Sequence, residues 1–252
     1  MPEAVTMAGM KAIVTGGAAG IGWACVERFA ADGAAVACLD LVVPDDLPSG
    51  VIALSCDVAD DASVQAAVAA AAERLGGIDV VVNNAGIGAA GDVTANPDEE
   101  WLRLYDVNVV GMARVSRAAL PHLRRSSNPC IVNMSSIVGI AGLPDRAAYS
   151  ATKGAVQALT MAMAMDHAAE GIRVNCVNPS TVDTPWVRRL IETAPDPDAT
   201  RASLENRQAT GRLIAPEEVA AAVAYLARPG SPGLTGVSLP VDGGMFSLRP
   251  RR

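Results

Sequence analysis

The chain has 252 residues, 50% of them hydrophobic and 19% charged, with a formal net charge of −7. That acidic balance argues against a nucleic-acid backbone as partner, which needs clustered Lys and Arg, and aromatics at 3% leave little for base stacking. No apolar run reaches the roughly 20 residues that cross a bilayer, and the length suits one large domain or two small ones, folded without metal or disulfide staples.

The predicted elements alternate along the chain. A strand over 10–15 leads to a helix over 20–32, then strands over 34–40 and 51–56. A helix over 62–75 precedes a strand over 78–83, and a long helix covers 98–125. A strand over 130–135, a helix over 149–169, a strand over 173–177, a helix over 216–227 and a strand over 237–241 complete the series. The run Ile78-Asp79-Val80-Val81-Val82 does not alternate polar with apolar, which suits a strand covered on both faces. The predicted fold is therefore α/β: a Rossmann-like, doubly wound parallel sheet forming a single domain over 1–252. One stretch, 180–211 with Pro185, Pro195 and Pro197, breaks the rhythm and is expected to be a helical substrate lid.

Outside these elements little chemistry is expected. The segment 1–9 has neither the basic start nor the apolar core of a signal peptide. Arg249, Arg251 and Arg252 make a basic end too short to reverse the charge. Cys25, Cys38, Cys56, Cys130 and Cys176 form no C-x-x-C pair and read as buried free thiols of a cytoplasmic, reducing compartment. His122 and His167 lack partners at ligand spacing, so no metal is expected. Met161, Met163 and Met165 are expected to be packed into the core.

Thr15-Gly16-Gly17-Ala18-Ala19-Gly20-Ile21-Gly22 joins the first strand to the first helix. Gly16 suits a tight turn, Gly20 a close approach to a pyrophosphate, and Gly22 close helix–strand packing, with the helix N-terminus offered to the phosphates. Asp40 ends the second strand, where a carboxylate accepts hydrogen bonds from ribose hydroxyls and marks NAD. A turn-starting role for Asp40 is the alternative. Of the 20 basic residues all but Lys11 and Lys153 are Arg. Lys153 lies one helical turn after Tyr149, and an ammonium near a phenol favours the phenolate.

These motifs, with Asn83-Asn84-Ala85-Gly86 and Tyr149-Ser150-Ala151-Thr152-Lys153, resemble the tyrosine-dependent short-chain dehydrogenase/reductase family from about Met10 to Gly244. The resemblance implies Tyr149 as proton carrier, Lys153 as its tuner, Ser136 (with Ser135 the nearby competitor) as carbonyl donor, and Asn108 as holder of a water that links Lys153 to solvent. It implies cofactor contacts from Gly16, Ala19, Gly20 and Ile21, from Asp40 and Leu41, from Asp57 and Val58, and from Asn84, Ala85 and Gly86. Pro179, Val182 and Thr184 complete them in a Pro-Gly…Thr type loop whose Gly is replaced by Ser180. Asp57 also suits plain turn chemistry. Helices 98–125 and 149–169 are implied to pair subunits into a dimer or tetramer.

Val182-Asp183-Thr184-Pro185, the segment from Arg207 to Arg212, and Arg146 are similar to hydroxy- and keto-acid members, namely cytosolic 3-hydroxybutyrate and 2-keto-3-deoxy-fuconate dehydrogenases. On that likeness Arg146, Arg188, Arg189 and Arg207 are candidate ligands for a substrate carboxylate. A ketoacyl-carrier-protein reductase and a non-catalytic nucleotide-binding scaffold are the competing readings.

Overall fold

The computed structural model describes residues 6–249. Arg251 and Arg252, and the start of the 1–9 segment, lie outside the described residues.

Seven strands form one sheet: β1 (Lys11–Thr15), β2 (Ala35–Asp40), β3 (Val51–Ser55), β4 (Val80–Asn83), β5 (Cys130–Met134), β6 (Arg173–Pro179) and β7 (Ser238–Val241). Their order is β3-β2-β1-β4-β5-β6-β7, every neighbouring pair is parallel, and the direction of winding reverses between β1 and β4. Such a switch point opens a crevice at the carboxyl ends of the strands.

Successive residues of each central strand enter different cores. Ala12, Val14, Val80, Val82 and Val132 pack with α1 (Gly20–Ala31) and α8 (Pro216–Ala227) on one face. Ile13, Val81 and Ile131 pack on the other, with α2 (Asp61–Leu75), α4 (Gly111–Leu123) and α5 (Ala147–His167). Two covered faces account for the unbroken apolar run of β4.

The predicted helix over 98–125 is not continuous. It divides into α3 (Asp98–Tyr105), a π-helical turn (Asp106–Val110) and α4. One residue too many is accommodated there, and that turn carries Asn108. The stretch 180–211 holds two short helices, α6 (Pro185–Glu192) and α7 (Pro197–Glu205), with a proline in the first turn of each. Proline is pre-set for that position. Thr184 and Asp196 cap them through side-chain oxygens. Val187, Ile191, Leu204 and Leu213 make a separate small core for this segment.

All five cysteines are buried and free. Burial pushes the Cys25 thiol up to about 12 and those of Cys38, Cys56 and Cys130 up to about 11. Of the methionines expected to pack on α5, Met163 does so, partly buried against the core, whereas Met161 and Met165 are 59% and 78% exposed. Two residues per step carries them past the buried stripe of a 3.6-residue helix. No helix among the described residues is long and apolar enough to cross a membrane.

Candidate active site

The glycine turn is fixed from below. Thr15 Oγ1 accepts the N–H groups of Asn84 and Ala85, both at 3.1 Å, and Asn84 Nδ2 donates to the carbonyls of Thr15 and Gly16 at 3.0 and 2.9 Å. Gly16 has a φ of +61°, and a Cβ there would lie 2.8 Å from Ala85 Cα; a Cβ on Gly22 would lie 2.0 Å from the Gly16 carbonyl oxygen. Both positions therefore require glycine. Asn84 serves with its side chain as a brace for the turn, as well as standing where the resemblance puts cofactor backbone contacts.

A dinucleotide fits this turn. Ala19 at the N-cap of α1 provides no side-chain cap, and the first turn holds no acidic residue. The N–H groups of that helix start are thus left to an external anion. A Cβ on Gly20 would approach Thr184 Cγ2 to 3.2 Å, so the turn and the loop after β6 face each other closely. Ile21, Pro179, Val182 and Thr184 all border the same cleft. Asp40 sits beside the turn, its Oδ2 accepting the Ala18 N–H at 2.9 Å. Leu41 is 67% exposed beside it. Asp57 Oδ1 accepts from the N–H of Ala59 at 2.9 Å, the turn chemistry that competes with a cofactor role, and Val58 is buried behind it.

The two serines at the end of β5 separate cleanly. Ser135 Oγ donates to the Lys153 carbonyl at 2.9 Å and is buried. Ser136 makes only long contacts, donating to the Pro179 carbonyl at 3.5 Å and accepting from the Val138 N–H at 3.4 Å. Bonds at that limit are weak, so its hydroxyl is available to another partner. That partner is near: burial pushes the Tyr149 phenol up, while the Ser136 hydroxyl and then the Arg146 charge pull it down.

The Lys153 ammonium lies 5.7 Å from the Tyr149 ring centroid and donates to the Met134 carbonyl at 2.9 Å. Burial pushes that ammonium down to about 8. On this chain's own groups, Ser136 and Arg146 offset the burial of Tyr149. Asn108, fully buried, grips Ile87 from both sides, with Oδ1 accepting its N–H at 2.8 Å and Nδ2 donating to its carbonyl at 2.9 Å. Nδ2 also donates to Thr152 Oγ1 at 3.1 Å. Both amide hydrogens are thus engaged within the protein. A Cβ on Gly86 would lie 3.0 Å from Asn108 Oδ1 and 3.6 Å from Lys153 Nζ, which places all three together.

The cleft above these groups has a volume of about 580 Å³. Ser136, Tyr149 and Lys153 line it, as do Arg146 and Arg207. Neither arginine has a carboxylate partner among the described residues. Partial burial and the charge of Arg146 both pull the Arg207 pKa down, so the two cations feel each other. Arg188 and Arg189 are not brought to the cleft. Helix α6 turns Val187 and Ile191 inward and leaves both arginines exposed, with Arg188 forked onto Asp183 at 2.9 and 3.1 Å. Sequence reasoning missed Glu100, Arg103 and Trp186, which also line the cleft. Only Trp186 left a signal, a large apolar residue near the start of the stretch 180–211.

A model of the family described as Enoyl-(Acyl carrier protein) reductase matches residues 16–246. The meso-2,3-butanediol dehydrogenase of Serratia marcescens is 40% identical over 239 residues, covering 92% of each chain. The cis-4-hydroxycyclohexanecarboxylate dehydrogenase of Sinomonas cyclohexanicum is 39% identical, covering 94% of this chain and 96% of that one. The ligand-free aldohexose dehydrogenase of Thermoplasma acidophilum has a TM-score of 0.91 at 35% identity, covering 98% of this chain and 97% of that one. The structure of ElxO with NADP bound has a TM-score of 0.88 at 27% identity, covering 95% and 99%. The chain belongs to the short-chain dehydrogenase/reductase family, oxidoreductases that use a nicotinamide cofactor and act on CH–OH groups.

Proposed function

We propose that this protein is an NAD-dependent dehydrogenase that oxidises the secondary alcohol of a small hydroxy acid, sugar acids included, or reduces the matching keto acid. One arrangement carries the reading. Tyr149 and Ser136 share a single cleft with Arg146 and Arg207, two guanidinium groups that pair with no carboxylate among the described residues. Guanidinium binds carboxylate bidentately and keeps its charge at any working pH.

A bound nicotinamide supplies the redox step by exchanging a hydride with the carbinol carbon. Tyr149 takes the hydroxyl proton during oxidation and returns it to the carbonyl oxygen during reduction. Ser136 donates a hydrogen bond to that oxygen and holds it in line with the phenol. Lys153 supports the phenolate and the nicotinamide ribose, and Asn108 keeps the segment around Ile87 and Thr152 in place beneath them. Gly16, Ala19, Gly20 and Ile21 receive the pyrophosphate, with Val182 and Thr184 beside the nicotinamide.

Asp40 supports NAD over NADP. A 2′-phosphate about 4 Å from that carboxylate meets repulsion of roughly 4 kcal/mol per unit charge at an effective dielectric of about 20. Ala18, Ala19 and Leu41 bring no cation to reverse it. The exposed Met161 and Met165 of α5 support assembly as a dimer or tetramer, and the reduced, buried thiols support a cytoplasmic setting. The stretch 180–211, with its own small core, acts as a lid on the single dinucleotide-binding domain.

The test is a comparison of kcat/KM for hydroxy acids, their amides and neutral diols, each with NAD and with NADP. Preference for an acid over its amide, with NAD over NADP, is expected. A neutral diol turned over better than every acid overturns the substrate assignment; equal use of NADP overturns the cofactor assignment.

A further inference from the structure

Ser180 occupies the loop after β6 at a position where the family pattern has glycine. Asp145 is the only described non-glycine residue with a positive φ, so Ser180 carries no left-handed strain. Its side chain is therefore free to act. The hydroxyl donates to Gln208 Oε1 at 2.5 Å, a short bond bridging the two ends of the lid. Ser180 also lines the cleft, next to Pro179 and Thr181.

Gln208 is 2% exposed, and its Nε2 has no partner among the described residues. Among the described residues Ser180 is thus the only side chain that anchors this buried carboxamide. The surrounding main chain is tightly held. Gln208 N–H donates to the Glu205 carbonyl at 3.1 Å, Gly211 N–H to the Gln208 carbonyl at 2.9 Å, and Thr210 N–H to the Gly243 carbonyl at 3.1 Å. A Cβ on Gly243 would come within 3.3 Å of Gln208 Cβ, so there is little room on that side. Ser180 is itself tied down, its N–H donating to the Val241 carbonyl at 3.2 Å.

Arg207 immediately precedes Gln208. Its own side chain is only partly buried, and no hydrogen bond fixes it among the described residues. The backbone of the turn that Gln208 anchors therefore sets the point from which the Arg207 side chain reaches the cleft. We propose that Ser180, through its hydrogen bond to Gln208, is a positioning residue that fixes Arg207 at the cleft and so sets affinity for the substrate's carboxylate without touching it. The proposal rests on the acid-substrate reading given above. It makes Ser180 a determinant of which substrates the enzyme takes.

The experiment measures KM and kcat for a hydroxy acid and for its amide in the wild type and in S180A, S180G, S180T, R207A and S180A/R207A. NADH affinity and the thermal midpoint are followed alongside. S180A is expected to raise KM for the acid about tenfold, on the scale of losing most of one charge-assisted hydrogen bond. Any change in kcat or NADH affinity should be the same with acid and amide, so the acid-to-amide ratio of KM is the readout, and that ratio is expected to rise about tenfold. S180T, which keeps the hydroxyl, is expected to restore the acid KM, and S180G to behave as S180A. In the R207A background S180A is expected to change nothing further, since two residues acting through one contact are not additive.

If R207A discriminates acid from amide but S180A and S180G do not, or if S180A adds in full to R207A, the positioning role is overturned alone. If R207A itself treats acid and amide alike, the acid reading falls and the proposal falls with it. An S180A that does not fold leaves the decision to S180G and S180T, which differ in the same hydroxyl.

Discussion

The Ser135 hydroxyl donates to the main-chain carbonyl of Lys153 at 2.9 Å, which commits it to holding α5 against β5 and leaves its neighbour, Ser136, to Tyr149. Replacing each serine by alanine therefore has opposite consequences. Ser136→Ala is expected to lower kcat by about 10²–10³-fold, the usual loss of one donor to a developing oxyanion, with the thermal midpoint unchanged. Ser135→Ala is expected to keep most of kcat and to lower the midpoint by a few degrees, since a buried hydrogen bond contributes about 1 kcal/mol. Steady-state kinetics and thermal melts on both variants check this. Loss of turnover confined to well-folded Ser135→Ala reverses the assignment.

Tyr149→Phe removes the proposed proton carrier but keeps the ring. Turnover is expected to fall by at least 10²–10⁴-fold while NADH still binds, as followed by its fluorescence. A variant retaining a tenth of wild-type kcat refutes the role.

Lys153 costs the fold stability at neutral pH. Its pKa in the folded chain is about 8 against an ordinary 10.5, so between those values the unfolded chain holds more protons than the folded one. Stability from this group accordingly rises with pH from about 8 to 10.5, and the full cost is present below about 8. Lys153→Met is expected to raise the cofactor-free stability at pH 7, by at most about 3 kcal/mol less the lost bond to Met134, while abolishing turnover. The gain should shrink by pH 9.5. A gain that stays constant over that range shows that burial of the charge is not its source.

Arg146 and Arg207 face the cleft, whereas Arg188 is held by Asp183 on the surface. Arg146→Ala is expected to lower kcat/KM for a hydroxy acid by roughly 10–150-fold, the range for a charge-assisted hydrogen bond, and to spare its methyl ester. Arg188→Ala is expected to stay within about twofold, because exposed ion pairs contribute little. Equal losses on acid and ester in Arg146→Ala would remove the clamp.

Asp40 braces the glycine turn and, on the proposed reading, also selects the cofactor; two substitutions separate these. Asp40→Asn keeps an acceptor for the Ala18 N–H and removes the charge, so NADP use should improve relative to NAD with the midpoint near wild type. Asp40→Ala loses both, so NAD itself should suffer and the glycine turn should loosen. Measured kcat/KM ratios and melts for the two variants distinguish them; an unchanged cofactor ratio in Asp40→Asn excludes the electrostatic explanation.

The sheet and the glycine turn were legible because their signals are local. Buried parallel strands read as apolar runs, and Gly16 and Gly22 stand where no side chain fits. The π-helical turn around Asn108 was not legible, since an inserted residue leaves the apolar pattern almost unchanged. Pro185 and Pro197 interrupt the rhythm of the sequence yet begin α6 and α7, because proline marks a helix start as readily as a break. The division of arginines between cleft and surface depends on which face α6 buries and on the reach of Asp183. Both follow from packing rather than spacing.

The buried thiols turn the protein into its own set of reporters. Cys25 lies on α1, Cys38 on β2, Cys56 just past β3, Cys130 on β5 and Cys176 on β6. With burial holding every one of them above the ordinary thiol range, the closed molecule offers almost no thiolate to an alkylating reagent. Labelling at each position then proceeds only as fast as its own neighbourhood opens. Peptide mapping of a native-state alkylation series would rank the opening free energies of both layers, one cysteine at a time, with no engineered probe.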